Sequence, residues 1–374
     1  MMARALYLAQ QGRGSVEPNP MVGCVIVRSG QIIGEGWHRA AGMPHAEINA
    51  LQNLNDLADG ATAYVTLEPC CSFQGKRTGS CAEALVKARI RRVVVPCEDP
   101  NPNVRGQGLE ILRKAGVNVV VGVRDVQARQ VNAAFFARML HNRPYITLKW
   151  AQTSDGYVAG PGGKRLRITN AAATAAVHRL RGRCDAIIVG VKTANRDDPL
   201  LTARGVPLSR RPFRVILDSH LKTNLKLRLV REARDGESRG VIIYCLKSAW
   251  RQRAHVVRKL EDHGVKVVPV DADDGHVSLK RVIADLGSRG ACHVMVEGGP
   301  TVAGAFIKSK LADRAWVFTS TEPVENPQGA PAAPLLNGWK VAGVRYYDRQ
   351  VLEELLNPDS DVFYSESPSA DLFL

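Results

Sequence analysis

The 374-residue sequence lacks any uninterrupted apolar run near the ~18–20 residues that a membrane-spanning helix requires, so no bilayer-spanning helix and no membrane partner are expected. Its opening, MMARALYLAQQGRG, is positively charged but has neither a sustained apolar stretch nor a small-residue cleavage site. No secretory signal is read there, and the chain is placed in the cytoplasm. Acidic residues are in deficit, 36 Asp and Glu against 51 Lys and Arg, which leaves a formal net charge of +15. That balance would suit nucleic acid, but the basic residues are spread along the chain, the densest runs being KARIRR and HRLRGR. A solvated basic surface that attracts phosphorylated small molecules is therefore expected, and no nucleic-acid partner. Internal repeats are absent, as are a Cys-x-x-Cys pair and the GxGxxG dinucleotide fingerprint.

The eight cysteines follow no disulfide framework. Three crowd into CCSFQGKRTGSC, whereas Cys24, Cys97, Cys184, Cys245 and Cys292 stand singly among apolar neighbours and read as small buried hydrophobes. The clustered three point to a metal.

Length suggests about two or three domains, at roughly 100–200 residues each, and two are expected. In the first 140 or so residues, strand and helix patterns alternate. MVGCVIV and QIIGEGW form a hairpin across Arg28–Gly30, followed by the helix AEINALQNL, the strand TAYVTLEP, the helix CAEALVKARI, the strand RVVVP and the helix GLEILRKAG. The pattern restarts at HNRPYITLKW, where Pro144 ends a helix, so domains 1–142 and 143–374 are predicted with a boundary at His141–Arg143. In the second half, DAIIVGV, FRVILDS, GVIIYC, VKVVPV, CHVMVEGG and RAWVFTS read as strands of a largely parallel sheet. Helices are expected near AAATAAVHRLRG, WRQRAHVVRKLEDHG and TVAGAFIKSKLAD, and a polar tail at SESPSADLFL.

The chemistry concentrates in GMPHAEINALQ and the strand that follows it. His45 and Glu47 alone read as helix-start capping and dipole complementarity. With Cys70 after Leu67-Glu68-Pro69, and Cys81 opening the next helix, one imidazole and two thiolates can converge beside the sheet. Three N/S ligands with a fourth position open is the catalytic zinc pattern, whereas structural zinc closes the tetrahedron with protein ligands. Glu47 is not needed as a ligand and can shuttle protons, as in the His-x-Glu…Pro-Cys signature of zinc deaminases. Cys70, directly after Pro69, is preferred over Cys71, which is read as a spare loop thiol. In the second half VEGGPTVAGAFI is a strand, two glycines and a helix, a turn able to hold a phosphate at the helix start.

Taken together, PNPMVGCVIV, GEGWH, PHAE, AYVTLEPC and EDPNPNVRGQG resemble the bifunctional riboflavin-biosynthesis deaminase–reductases of bacteria over almost the whole chain. The resemblance implies a cytidine-deaminase-like α/β/α domain followed by a dihydrofolate-reductase-like α/β domain, with Zn2+ and NADPH as cofactors. The substrate implied is a phosphorylated pyrimidine. Deamination of its diaminopyrimidine ring would precede reduction of the ribosyl to a ribityl chain. The same resemblance puts Asn19, His38, Lys76 and Thr78 on the aminopyrimidine and its ribosyl phosphate. YITLKWAQTSDG and TANRDDPLLTAR carry the likeness into the second domain. There it implies cofactor contacts from Ala151, Thr193, Asp197, Ser219, Gly299, Pro300, Thr301, Val302, Ala303, Gly304 and Ala305, and substrate contacts from Arg181, Leu201, Arg204 and Glu297. Lys149 lies at a strand end where a cation could stabilise the reacting sugar, and a homo-oligomer is expected.

Two departures from the family pattern stand out. The Cys70–Cys81 loop is longer than usual and has Ser72 and Phe73 near the place of a histidine. GGKRLRITN carries Arg165 and Arg167 where a serine and a tryptophan are usual, so neither residue inherits a role, although an arginine can grip a phosphate. Two rival readings follow: a deaminase of nucleic-acid bases with a basic accessory domain, disfavoured by the long Cys-to-Cys loop, and a deaminase whose C-terminal half has decayed into a binding domain.

Overall fold

The computed structural model describes residues 1–75, 78–206, 208, 211–234 and 239–364. Lys76, Arg77 and the SESPSADLFL tail lie outside the described residues. Contacts divide the described residues into Met1–Asn142 together with residues 361–364, and Arg143–Ser360. The second unit thus ends earlier than the 143–374 read from sequence. The reason is local: Asp361 Oδ1 lies 2.6 Å from His141 Nε2, its carbonyl accepts from Arg129, and Val362 and Phe363 are fully buried.

The first unit is built on a five-stranded sheet of β1 (Gly23–Arg28), β2 (Gln31–Trp37), β3 (Thr62–Val65), β4 (Arg92–Val95) and β5 (Asn118–Val121), in the order β2-β1-β3-β4-β5. β1 is antiparallel to both neighbours, and β3, β4 and β5 run parallel. The β1–β2 hairpin turns through Ser29 and Gly30, both at positive φ, as a two-residue turn matched to strand twist requires. Helix Ala46–Leu51 seats directly on β2. A Cβ on Gly36 would come within 2.5 Å of Ala46 O and Ala50 N, so glycine is what lets this helix, and the His45 that precedes it, press against the sheet. Ile26, Val65, Val93, Val95 and Leu109 fill the core beneath. Each such side chain contributes about 1.5–3 kcal/mol on burial.

In the second unit β6 (Tyr145–Gln152), β7 (Ala186–Gly190), β8 (Phe213–Leu217), β9 (Val241–Leu246) and β10 (Val265–Val270) come first in sequence. The short pair β11 (Ala272–Asp273) and β12 (His276–Val277) forms a separate ribbon, and β13 (His293–Val296), β14 (Arg314–Ser320), β15 (Lys340–Tyr346) and β16 (Gln350–Leu356) complete the set. Nine of them form one sheet, β10-β9-β8-β7-β13-β6-β14-β16-β15. It is parallel from β10 to β14, then antiparallel at β14–β16 and β16–β15. Strands such as VIIYCL are buried at every position, as a parallel sheet covered on both faces demands. The helix expected across WRQRAHVVRKLEDHG is two, Lys247–Gln252 and Ala254–Asp262, split at Arg253. There φ −114 and ψ 35 leave the helical region, and the guanidinium donates to the His220 and Leu221 carbonyls. Among the described residues no helix is long and apolar enough to cross a membrane.

Candidate active sites

His45 stands at the N-cap of helix Ala46–Leu51 with extended backbone and makes no capping bond. The capping explanation of His45 therefore fails, and its ring is turned to other use. Its Nδ1 lies 3.3 Å from Cys70 Sγ and 3.3 Å from Cys81 Sγ. Cys70 follows β3. Cys81 opens helix Cys81–Lys87, whose cap Ser80 accepts from Glu83 N at 3.1 Å. The two cysteine-bearing segments are stitched together, because Cys70 O accepts from Ala82 N at 3.1 Å and from Ser80 Oγ at 3.3 Å.

The three donor atoms lie within 4.8 Å of one another. Zinc bonds of about 2.3 Å to sulfur and about 2.0 Å to nitrogen, set tetrahedrally, separate N from S by roughly 3.5 Å, so the donor set fits this ion. Glu47, in the first turn of the helix, is 3% exposed and hydrogen-bonds Cys81. Burial, then the Cys70 sulfur, push its carboxyl up to about 7 against the pull of His45. A divalent cation in the cluster would draw it down again. Cys71 faces away from this cluster, toward Asn103 O at 3.4 Å and Gln107 Oε1 at 3.7 Å.

His38 packs edge-on against His45, with ring centroids 5.3 Å apart. Its Nδ1 lies 3.2 Å from Pro44 O, while its buried Nε2 has no hydrogen-bond partner among the described residues. Burial holds its pKa below the usual value. Thr78 Oγ1 reaches His45 Nε2 at 3.4 Å, and Asn19 is exposed on the loop before β1. Lys76 belongs to the residues not described.

The second unit holds a cavity of ≈ 2060 Å³ lined by Lys149, Ala151, Arg181, Thr193, Asp197, Leu201, Arg204, Ser219, Glu297, Gly299, Pro300, Thr301, Val302 and Ala305. Ala303 does not line it and is buried in the core instead, and Gly304 is not among the lining residues. Arg181, at the end of helix Ala171–Arg181, and Glu297, after β13, form a two-bond ion pair. Lys149, on β6, is held below its ordinary pKa by burial, with Glu297 pulling it back up. Pro300 has no N–H, so Gly299 and Thr301 supply the backbone donors that head helix Pro300–Lys308. The first glycine of the turn serves packing, since a Cβ on Gly298 would lie 2.6 Å from Val302 Cβ. A cavity of this size with cations and a helix start is a fit for a dinucleotide.

Arg165 and Arg167 also line the cavity, both exposed. Sequence reasoning passed over two further lining residues. His178, one turn before Arg181, accepts from Arg204 N at 3.2 Å. Asp218 precedes Ser219; its Oδ2 accepts from Thr223 N and Oγ1, and its buried Oδ1 is unpartnered among the described residues. The i, i+3 spacing of His178 and Arg181 was a readable signal. A carboxylate ending a buried strand was another.

Comparison with known proteins agrees with this division. Residues 1–97 match the cytidine and deoxycytidylate deaminase zinc-binding region, and residues 144–320 match the RibD C-terminal domain. The riboflavin biosynthesis protein RibD of Aquifex aeolicus is 42% identical over 317 residues, 85% of each chain. That of Escherichia coli is 39% identical over 329 residues, 85% of this chain and 86% of the other. Among solved structures, Acinetobacter baumannii RibD superposes with a TM-score of 0.74 at 34% identity, covering 95% of this chain and 97% of that one. A diaminohydroxyphosphoribosylaminopyrimidine deaminase/5-amino-6-(5-phosphoribosylamino)uracil reductase from Thermotoga maritima gives 0.75 at 32% identity, with 95% and 97% covered.

Proposed function

Because the chain belongs to the RibD family, the bifunctional deaminase–reductases of riboflavin biosynthesis, we propose how its own residues divide the two reactions. The first unit carries a zinc-dependent deaminase and the second a reductase that uses a nicotinamide cofactor. The substrate is 2,5-diamino-6-ribosylamino-4(3H)-pyrimidinone 5′-phosphate, and the hydride donor is NADPH.

In the deaminase, His45, Cys70 and Cys81 hold the zinc. When bound, zinc supplies the Lewis acidity that lets water ionise near neutral pH. Glu47 takes the proton from the attacking water and passes it to the departing amine, a role suited to a buried carboxyl beside the cluster. The unpartnered His38 Nε2 supplies a hydrogen-bonding site for the pyrimidine, and Asn19, Lys76 and Thr78 complete the substrate contacts. The observation that carries this reading is His45 Nδ1 placed 3.3 Å from each of two thiols, with Glu47 buried next to them.

In the reductase, the cofactor supplies the hydride, and the protein aligns donor and acceptor. Gly299 and Thr301 N–H groups favour a cofactor phosphate at the helix start. Ala151, Thr193, Asp197, Ser219, Pro300, Val302 and Ala305 line its place, with Asp218 Oδ1 as an acceptor for one of its hydroxyl or amine donors. Arg204 and Leu201 hold the ribosyl phosphate end, the Arg181–Glu297 pair shapes the acceptor side, and Lys149 steadies the opened sugar. The convergence of Lys149, Arg181 and Glu297 on one cavity speaks against a decayed second domain.

A coupled assay tests the division. Glu47→Ala is expected to lower ammonia release by roughly 100- to 10,000-fold while the variant still oxidises NADPH on deaminated substrate. Unchanged ammonia release would overturn the catalytic assignment.

A further inference from the structure

Glu68 stands two residues before Cys70 and is 3% exposed. A carboxylate buried that deeply needs donors on its oxygens. It has four, all backbone N–H groups of one stretch of chain. Oε2 accepts from Asp99 at 3.0 Å and Gly106 at 2.9 Å, and Oε1 from Gly108 at 2.9 Å and Leu109 at 3.2 Å. Gly108 and Leu109 lie in the first turn of helix Gln107–Lys114, whose positive end favours the carboxylate further.

The residues after Glu68 are fastened to the same stretch. A Cβ on Gly108 would lie 1.8 Å from the Pro69 carbonyl oxygen, so the two backbones touch there. Cys71 Sγ donates to Asn103 O at 3.4 Å. Cys70 therefore sits between neighbours anchored on both sides to residues 99–109, while its own carbonyl is held by Ala82 N, next to Cys81. Little freedom is left for its Sγ other than the side-chain torsion.

We propose that Glu68 is a positioning residue for the deaminase metal site: its carboxylate locks the Glu68–Cys71 segment onto residues 99–109 and thereby fixes Cys70 Sγ relative to His45 and Cys81. This rests on the reading of those three residues as the zinc ligands. Glutamine at position 68 keeps the shape but offers one acceptor oxygen, and its NH2 would face backbone donors. Loss of the hydrogen-bond partners that orient metal ligands lowers metal affinity or activity by roughly 10- to 100-fold.

The test compares full-length parent, Glu68→Gln and Gly108→Ala, the last keeping the carboxylate but pressing its new methyl on the Pro69 carbonyl and on Glu68 Oε1. Zinc transfer to a chromophoric chelator and the visible bands of the cobalt-loaded protein are read beside ammonia release. Far-UV circular dichroism and a cooperative urea transition with the parent's amplitude report that the first unit is folded, and NADPH oxidation reports the same of the second. Both variants are expected to release zinc about ten-fold faster or more, to shift the cobalt bands, and to lose kcat for ammonia release with little change in KM. If Glu68→Gln leaves the first unit unfolded, Gly108→Ala decides by the same readouts. Zinc transfer and cobalt bands like the parent's in the folded variants, even with a lowered Tm, would overturn the proposal and leave the ligand assignment standing. A parent chain that binds no zinc would instead overturn the ligand assignment, and this proposal with it.

Discussion

Arg181 and Glu297, 116 residues apart in sequence, meet through two parallel bonds, Nε to Oε1 at 2.5 Å and Nη2 to Oε2 at 2.7 Å. Their side chains are only 14% and 10% exposed. Burial pushes the Glu297 pKa up, but the Arg181 charge and bonds outweigh it and hold the carboxyl below its ordinary 4.5. A folded-state pKa below the unfolded one stabilises the protein above about pH 4.5, and that contribution is lost as pH falls through the folded value. Replacing Arg181 by Met should cost about 3–5 kcal/mol at neutral pH, because it leaves a buried carboxylate without its partner. In the variant the sign of the pH dependence should reverse, with stability regained on acidification as Glu297 takes up a proton. Urea unfolding of parent and variant between pH 4 and 7 checks both; parallel pH profiles would contradict the account.

Metal removal should separate the two activities. Pyridine-2,6-dicarboxylate is expected to abolish ammonia release and to leave NADPH oxidation on deaminated substrate intact, with added Zn2+ restoring the first. Equal loss of both activities would contradict a zinc site confined to the first unit.

Arg165 and Arg167 place two exposed cations on the cavity lining. Exposed charges act on phosphate mainly at low ionic strength. Alanine at both positions should raise KM for NADPH or for the phosphorylated substrate by roughly three- to ten-fold in low salt, and by much less near about 0.5 M. Steady-state kinetics at two salt concentrations, varying each substrate in turn, decide which phosphate they serve. A KM unmoved for both would assign the arginines to the surface.

The convergence of His45, Cys70 and Cys81 was legible in the sequence because the three sit at element ends marked by local signals: His45 before an amphipathic helix, Cys70 after Pro69, Cys81 beside the cap Ser80. The strand runs from Ala186 to Ser320 were legible for a related reason, since a covered parallel sheet is written as continuous apolar runs. Elements without that contrast were missed. β15 is exposed at nearly every position and carries no inside–outside alternation, whereas β16 alternates in burial but not in sequence: its apolar residues Val351, Leu352, Leu355 and Leu356 have helical spacing, and its buried face includes Gln350 and Glu354. Relationships across long sequence separations left no trace in the sequence. Glu68 looked like the end of a strand, and only the fold brings residues 99–109 onto its carboxylate. The return of Asp361 to His141 is of the same kind.

The central claim is that one imidazole and two thiolates, from His45, Cys70 and Cys81, grip the zinc of the deaminase. Zinc-edge X-ray absorption of the metal-loaded protein tests it most directly. Two sulfur scatterers at about 2.3 Å, one imidazole nitrogen at about 2.0 Å and one further light atom are expected. A third sulfur, which would bring Cys71 into the site, or a shell without sulfur would contradict it.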